Sequence, residues 1–364
     1  MRAEPASLSR AVALLVAAVV PLLAQDVRRY EQCADPLGAA MLAEARDHVA
    51  AGRLQDALPL FARVVERCPE CVPAHLAYQE TALRLGGAAV EALRRDYERL
   101  QDPPNSVVVS YARIRLLPTS YDRLKALDAV IRRDKGFWYA HHSKARQLRN
   151  AGLLAAAVDS WRNAVSANPD FLPAWHEMGE VLAELGNTNE ACRAYENYLR
   201  GAPDDAEAVA SYVHLLVYKA GRPAEALPWL QRLLDRDPLK PEYAMDRAAA
   251  LWLTGKPREA LDLYLAVLER EPLASRAALN IGFLCYEALA GSNNEGRLRW
   301  WPVAREAMRL YLALVRAEDA VDFMERYFAV PFRLEEIDAF LMRNKVSPSD
   351  GEASVESLRA LIRG

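Results

Sequence analysis

The chain has 364 residues, 52% hydrophobic and 26% charged, with a formal charge of −3. That is enough apolar material for a large ordered core, and so slight an acidic surplus argues against electrostatic nucleic-acid binding, which needs a basic one. The basic runs at 131–135 ("IRRDK") and 297–301 ("RLRWW") are short, have acids nearby, and read as solvated helix faces.

Residues 1–24 differ in kind. Arg2 and Arg10 precede "AVALLVAAVVPLLA", fourteen residues from Ala11 to Ala24 without a charge. A basic leader, an apolar run and a small final residue make a secretory signal peptide. A helix of that length rises about 21 Å, short of the roughly 30 Å hydrocarbon core. Cleavage is therefore expected after Ala24, leaving a periplasmic or secreted protein, although Leu22 is larger than is usual three residues before the cut. The alternative is a membrane anchor through residues 11–24. Cys33 lies too far beyond the apolar run for lipid attachment, and no other segment could span a membrane. Residues 25–37 are a lead-in.

From residue 38 onward the chain repeats. Pro169, Pro203, Pro238 and Pro272 are separated by 34, 35 and 34 residues. Ala157, Ala191, Ala226 and Ala260 keep those intervals, as do Gly152, Gly186, Gly221 and Gly255. Four residues after each alanine stands a large apolar side chain: Trp161, Tyr195, Leu230 and Tyr264. An earlier copy has Gly52, Ala57, Phe61 and Pro69. A period near 34 signals stacked helical hairpins. The glycine ends the first helix, where a left-handed backbone is needed. The alanine lies where the second helix crosses its neighbours closely, and the residue one turn on fills the gap between hairpins. The proline lies past the second helix, which it cannot continue. Copies begin near Gly38, Val72, Ser106, Trp138, Leu172, Ala206, Pro241 and Ser275. The second and third are degenerate, so 38–137 and 138–318 form a less regular and a more regular block. In the last copy "GSNNEG" (291–296) reads as a polar loop before helix B resumes at "RWWPVAREAMRLYLALVRAE". "AVDFMERYFAV" and "PFRLEEIDAFLM", within 319–345, read as two closing helices that cover the final apolar face. Residues 346–364 read as a polar linker and a short, weakly held helix.

These residues in register resemble the tetratricopeptide repeat (TPR) family. The resemblance implies an all-α fold, a right-handed superhelical solenoid of about eight antiparallel hairpins with C-terminal capping helices. It also implies a concave wall built from the first helices. Carried onto this chain, the inward positions include Tyr139, His142, Arg146 and Arg149 in the fourth copy, and His176 and Glu180 in the fifth. They continue with His214 and Tyr218 in the sixth, Trp252 in the seventh, and Asn280, Phe283 and Tyr286 in the eighth. That groove runs from basic, through acidic, to aromatic. The family's carboxylate clamp for chaperone tails is absent: Asn280 matches its last member, but Met245 and Ala249 replace the lysine and asparagine it requires.

Chemistry-bearing motifs are scarce. There is no nucleophile elbow, Walker loop or dinucleotide fingerprint. "HEMGE" (176–180) has Glu180 where a zinc-protease helix needs its second histidine. His142, His176 and His214 come from successive repeats, about 10 Å apart, too far to share a zinc whose ligands sit at about 2 Å. "CPEC" (Cys68–Cys71) lacks the following histidine of a haem site, a second ligand pair for zinc, and the strand-to-helix setting of a redox dithiol. In an oxidising compartment a structural disulfide is expected, either within that pair or from one member to Cys33, with unpaired thiols as the alternative. No cofactor or metal is expected. The expected function is a non-catalytic protein–protein interaction scaffold of the cell envelope that binds a peptide segment or partner protein in the groove. A chaperone or assembly factor for envelope or secreted proteins is the alternative, and an enzyme, or an obligate subunit of one, is a third. Intact-mass measurement of native protein should place the mature N-terminus at Gln25. A soluble cytoplasmic form retaining residues 1–24 would sink the export assignment.

Overall fold

The computed structural model describes residues 29–103, 106–315, 324–347 and 353–363. The expected signal peptide, 1–24, lies outside these, as do residues 319–323 of the expected cap. Among the described residues there is no strand. The helices are α1 (Pro36–Ala50), α2 (Leu54–Arg67), α3 (Val72–Leu85), α4 (Gly87–Arg99), α5 (Val108–Ile114) and α6 (Ser120–Arg133). There follow α7 (Trp138–Asn150), α8 (Leu154–Ala167), α9 (Leu172–Glu184), α10 (Thr188–Gly201), α11 (Ala206–Tyr218) and α12 (Pro223–Arg236). The last are α13 (Pro241–Leu253), α14 (Pro257–Arg270), α15 (Ser275–Phe283), α16 (Asn294–Leu314), α17 (Met324–Arg343) and α18 (Val355–Arg363). Through α16 they pair as eight hairpins, odd-numbered helices first, which makes the fold an all-α repeat array.

The recurring residues do what their chemistry requires. Gly52, Gly152, Gly186, Gly221 and Gly255 all have φ between 64° and 81°, the left-handed region that a side chain disfavours. After four of them the next amide reaches back to close the helix end: Arg53 to the His48 carbonyl (2.8 Å), Leu153 to Leu148 (2.9 Å), Asn187 to Leu182 (2.8 Å) and Lys256 to Leu251 (2.9 Å). The alanines Ala57, Ala157, Ala191, Ala226 and Ala260 are fully buried, and Phe61, Trp161, Tyr195, Leu230 and Tyr264 are buried one turn on. Where α9 meets α10 the fit is tight: a Cβ on Gly179 would lie 3.2 Å from the Tyr195 ring, which would have to give way slightly. Gly282, on α15, would meet Met308 at 2.8 Å in the same way.

The packing forms two compact units, one ending at Met178 and the other beginning at Gly179. The break in sequence regularity at 137/138 is a different point. In the first unit each helix packs on the next from α1 to α4 and from α5 to α8, and α3 also packs on α5. The third repeat is irregular because α5 is only seven residues long. In the second unit contact passes in order from α10 to α17, α11 also touches α13, and α18 packs on α16 and α14.

The start of the first unit is clasped by its lead-in. Cys33 and Cys68 are paired as a disulfide with Cα atoms 5.3 Å apart. A Cβ on Gly38 would come within 2.6 Å of the Cys68 sulfur and 2.7 Å of the Cys33 sulfur, so α1 can pass the bridge only with glycine there. Arg67 bonds Asp35 at 2.6 Å beside it. Tyr30 is buried against Phe137 and Trp138, with ring centroids at 4.9 and 5.3 Å, and donates to Asp134 at 2.5 Å. The "CPEC" turn is pinned from beneath by His75, which contacts the Pro69 carbonyl at 3.0 Å and the Tyr97 hydroxyl at 2.7 Å. Burial lowers the His75 pKa to about 4. The neutral ring therefore donates from Nε2 to the carbonyl and accepts the Tyr97 proton at Nδ1. Cys71, Cys192 and Cys285 are buried thiols, and burial raises the pKa of each.

The C-terminus departs from expectation in three ways. Helix α16 begins at Asn294, capped by Asn293 accepting from the Gly296 amide at 2.7 Å, so the loop is shorter than "GSNNEG" suggested. The two expected closing helices are one, α17, which runs through Pro331. The final helix is held firmly. Leu358 is fully buried, Arg359 pairs with Glu269 at 2.8 Å, and Arg299 donates to the Leu361 and Ile362 carbonyls at the end of α18. Ser357 also bonds the buried Glu306 carboxylate. With the bridge at Cys33–Cys68, thiol counting on unreduced, denatured native protein should find three free thiols among five cysteines. Five would refute the disulfide.

Candidate functional site

Each unit carries a cleft on its first-helix faces. In the first, a cleft of about 640 Å³ is lined by α3 (Leu76, Glu80), α5 (Tyr111, Ile114) and α7 (Tyr139, His142, Ser143, Arg146), with Arg115, Arg123 and Phe171 at its edges. Tyr139 is buried, lies 5.2 Å from the Phe171 ring and donates to Glu31 at 2.8 Å. His142 lies 3.2 Å and Arg146 3.6 Å from the Glu177 carboxylate. Burial pushes that carboxyl up, but His142, Arg146 and Arg149 outweigh it and hold Glu177 below its usual range. Glu177 is thus an anion that orders the cationic side of the cleft.

The second unit has two adjoining hollows of about 450 and 630 Å³ that share His214, Tyr218 and Arg276. The larger is lined by Trp252, Leu253, Leu279 and Asn280 as well. Tyr218 donates to Asp246 at 2.8 Å, joining α11 to α13. Desolvation, then the charge of Asp246, pushes the Tyr218 phenol well above its usual range, so it stays a donor. Burial likewise raises Asp246, against the pull of Tyr218, His214 and Arg276. Tyr218 and Leu253 are 43% and 58% exposed, and Trp252 is half-buried: apolar surface stands open here.

The wall expected from sequence is thus divided. Tyr139, His142 and Arg146 share the first cleft, and His214, Tyr218, Trp252 and Asn280 share the second. Arg149, His176 and Glu180 are half-buried and line neither. Two expected groove aromatics are not groove residues. Phe283 is 5% exposed and belongs to the cluster that holds Val330, Ile337 and Phe340 of α17. Tyr286 falls in the π-helical turn Leu284–Leu289, stacks on Trp301 at 5.3 Å, donates to Glu336 at 2.5 Å and lies under Arg333 at 4.9 Å. Helix α17 takes the face that these side chains present. Conversely, Leu76, Glu80, Tyr111 and Ile114 are cleft residues from the degenerate copies. Applying the same inward positions to the copies that begin at Val72 and Ser106 would have found them. Among the described residues no group of three or more His, Cys, Asp or Glu side chains is placed to hold a metal. Among them, too, no helix is long and apolar enough to cross a membrane.

A family model described as tetratricopeptide repeat matches residues 42–106, 176–241 and 215–270. Among curated proteins the chain is 29% identical over 168 residues to Protein O-mannosyl-transferase TMTC1 of Homo sapiens. That match takes in 42% of this chain and 18% of TMTC1, so the chain spans less than a fifth of that protein's length. Similar solved structures include YrrB, described as a TPR protein with an unusual peptide-binding site: 22% identity, 57% of this chain, 98% of that one, TM-score 0.43. A tetratricopeptide repeat protein from Parabacteroides merdae gives 15% identity, 70% of this chain, 99% of that one, and a TM-score of 0.44.

Because Phe283 fills core volume, Phe283→Ala should lose about 3–5 kcal/mol of stability. Chemical denaturation measures this directly, and a loss below about 1 kcal/mol, typical of surface positions, would contradict its core placement.

Proposed function

We propose that the chain is a tetratricopeptide repeat scaffold for protein partners, and that its second unit grips an apolar-rich peptide segment of a partner without catalysis. One observation carries this reading. Trp252, Tyr218 and Leu253 gather around a hollow of about 630 Å³ instead of closing over it. That volume lies within the roughly 300–1,000 Å³ of sites that bury a drug-sized ligand, and a few polar groups among apolar ones is their usual make-up. His214, Arg276 and Asn280 supply those polar groups. The tryptophan face and Leu253 suit an aliphatic or aromatic side chain of the segment. With the apolar run at Ala11–Ala24 taken as a cleaved signal, the scaffold works in the cell envelope.

Partner capture from the native envelope, by the wild type and by Trp252→Ala, tests the reading. An aromatic anchor in a partly desolvated hollow contributes about 2 kcal/mol or more, so capture should weaken by roughly thirtyfold. Because half-buried Trp252 also packs against the core cluster, the melting temperature should fall by only a few degrees. Undiminished capture, or a sharp fall in melting temperature, would remove this hollow as the binding site.

A further inference from the structure

The cleft of the first unit shares no side chain with the hollow just described and has a different chemistry. We propose that it is a second binding site, for a peptide segment in which acidic residues alternate with apolar ones.

Charge makes the first part of the case. Arg115, Arg123 and Arg146 line the cleft, and Glu80 is the one carboxylate among its lining residues. Glu31 on Tyr139 and Glu177 on His142 and Arg146 lie beside the cleft as well, so the cationic character is carried by Arg115 and Arg123. Among the described residues neither Arg115 nor Arg123 has an ion pair. Arg123 donates to the Leu117 and Pro118 carbonyls at 2.9 and 3.1 Å, which hold its guanidinium in place but do not neutralise it. Arg146 shares Glu177 with His142 at 3.6 Å and keeps a side chain 61% exposed. Arg115 and Arg146 are exposed, and the guanidinium N–H groups that they present can pair with a carboxylate.

The floor makes the second part. Leu76 and Phe171, both half-buried, give an apolar bed beside the cationic edge, so a ligand must be apolar and anionic together. Single-stranded nucleic acid also joins those properties, but it needs exposed ring faces for stacking. Tyr111 and Tyr139 are 2% and 6% exposed, and their hydroxyls are engaged by Ser143 and Glu31. They offer bases no platform.

The test uses the full mature chain and three fluorescein-labelled pentapeptides, acetyl-Glu-Phe-Glu-Leu-Glu-amide and its glutamine and lysine counterparts, read by anisotropy. The acidic peptide should bind roughly tenfold more tightly than the glutamine one, and the lysine one more weakly than either. Raising salt from about 0.05 to 0.5 M should erase most of that preference, since exposed charges are screened within a few ångströms there. Arg115→Glu with Arg146→Glu should abolish the acidic preference with little change in melting temperature. Should that pair fail to fold, Arg115→Gln alone should lower it several-fold. Equal affinity for the three peptides, a preference that survives the substitutions, or an oligouridylate bound as tightly as the acidic peptide would each overturn the proposal. So would displacement by millimolar inorganic phosphate, which would make the cleft a simple anion site. Failure on any of these counts leaves the second-unit reading standing, because that one depends on Trp252 and not on these arginines.

Discussion

Everything in this protein depends on how closely one helix can approach the next. A hairpin of two short helices cannot bury its own apolar face, so it is stable only when a neighbour lies against it. That approach is possible here because the crossing positions carry little or no side chain: Ala157, Ala191, Ala226 and Ala260 on second helices, Gly179 and Gly282 on first ones. The Gly179 case gives the tolerance, since a single added carbon would already press on the Tyr195 ring. The large residue one turn beyond each alanine then fills the space, and the left-handed glycine turns the chain back soon enough for the next helix to use it.

Such an array has two ends that it cannot cover with its own repeat. The lead-in is tied to the first copy by the Cys33–Cys68 bridge beside Gly38 and reaches the start of the fourth, where Tyr30 is buried on Phe137 and Trp138. At the C-terminal end α17 and α18 form the cover, with Phe340 against Trp301 and Leu358 fully buried. Polar pairs fix these covers in register. Arg305 pairs with Asp338 at 2.5 Å, and Arg299 caps the carbonyls that end α18. Covering the last first-helix face also removes it from any groove, which is why Phe283 and Tyr286 are structural.

What remains open lies between the covers and is chemically uneven. The first-unit cleft sets arginines around an apolar bed, with Glu177 drawn toward His142 and Arg146. The second-unit hollow sets a tryptophan and an exposed leucine among His214, Arg276 and Asn280. If both bind segments as proposed, they discriminate by what each refuses as well as by what it binds: a basic segment would be repelled from one, and a wholly polar segment would gain little from the other.

The repeat was fully legible in the sequence because its determinants are local. A glycine, an alanine five residues on and an aromatic four after that all act within one hairpin, so their spacing carries the geometry. Even the cleft residues of the degenerate copies, Leu76 and Tyr111, were available to anyone who kept counting from Val72 and Ser106. Three things were not legible. Which cysteine joins Cys33, where Glu31 meets Tyr139 across 108 residues, and which aromatics α17 would cover all depend on segments that meet only after the hairpins have stacked. Periodicity says which side a residue faces. Only the tertiary structure decides whether that side looks onto solvent or onto another part of the chain, because that is settled by contacts between segments far apart in sequence.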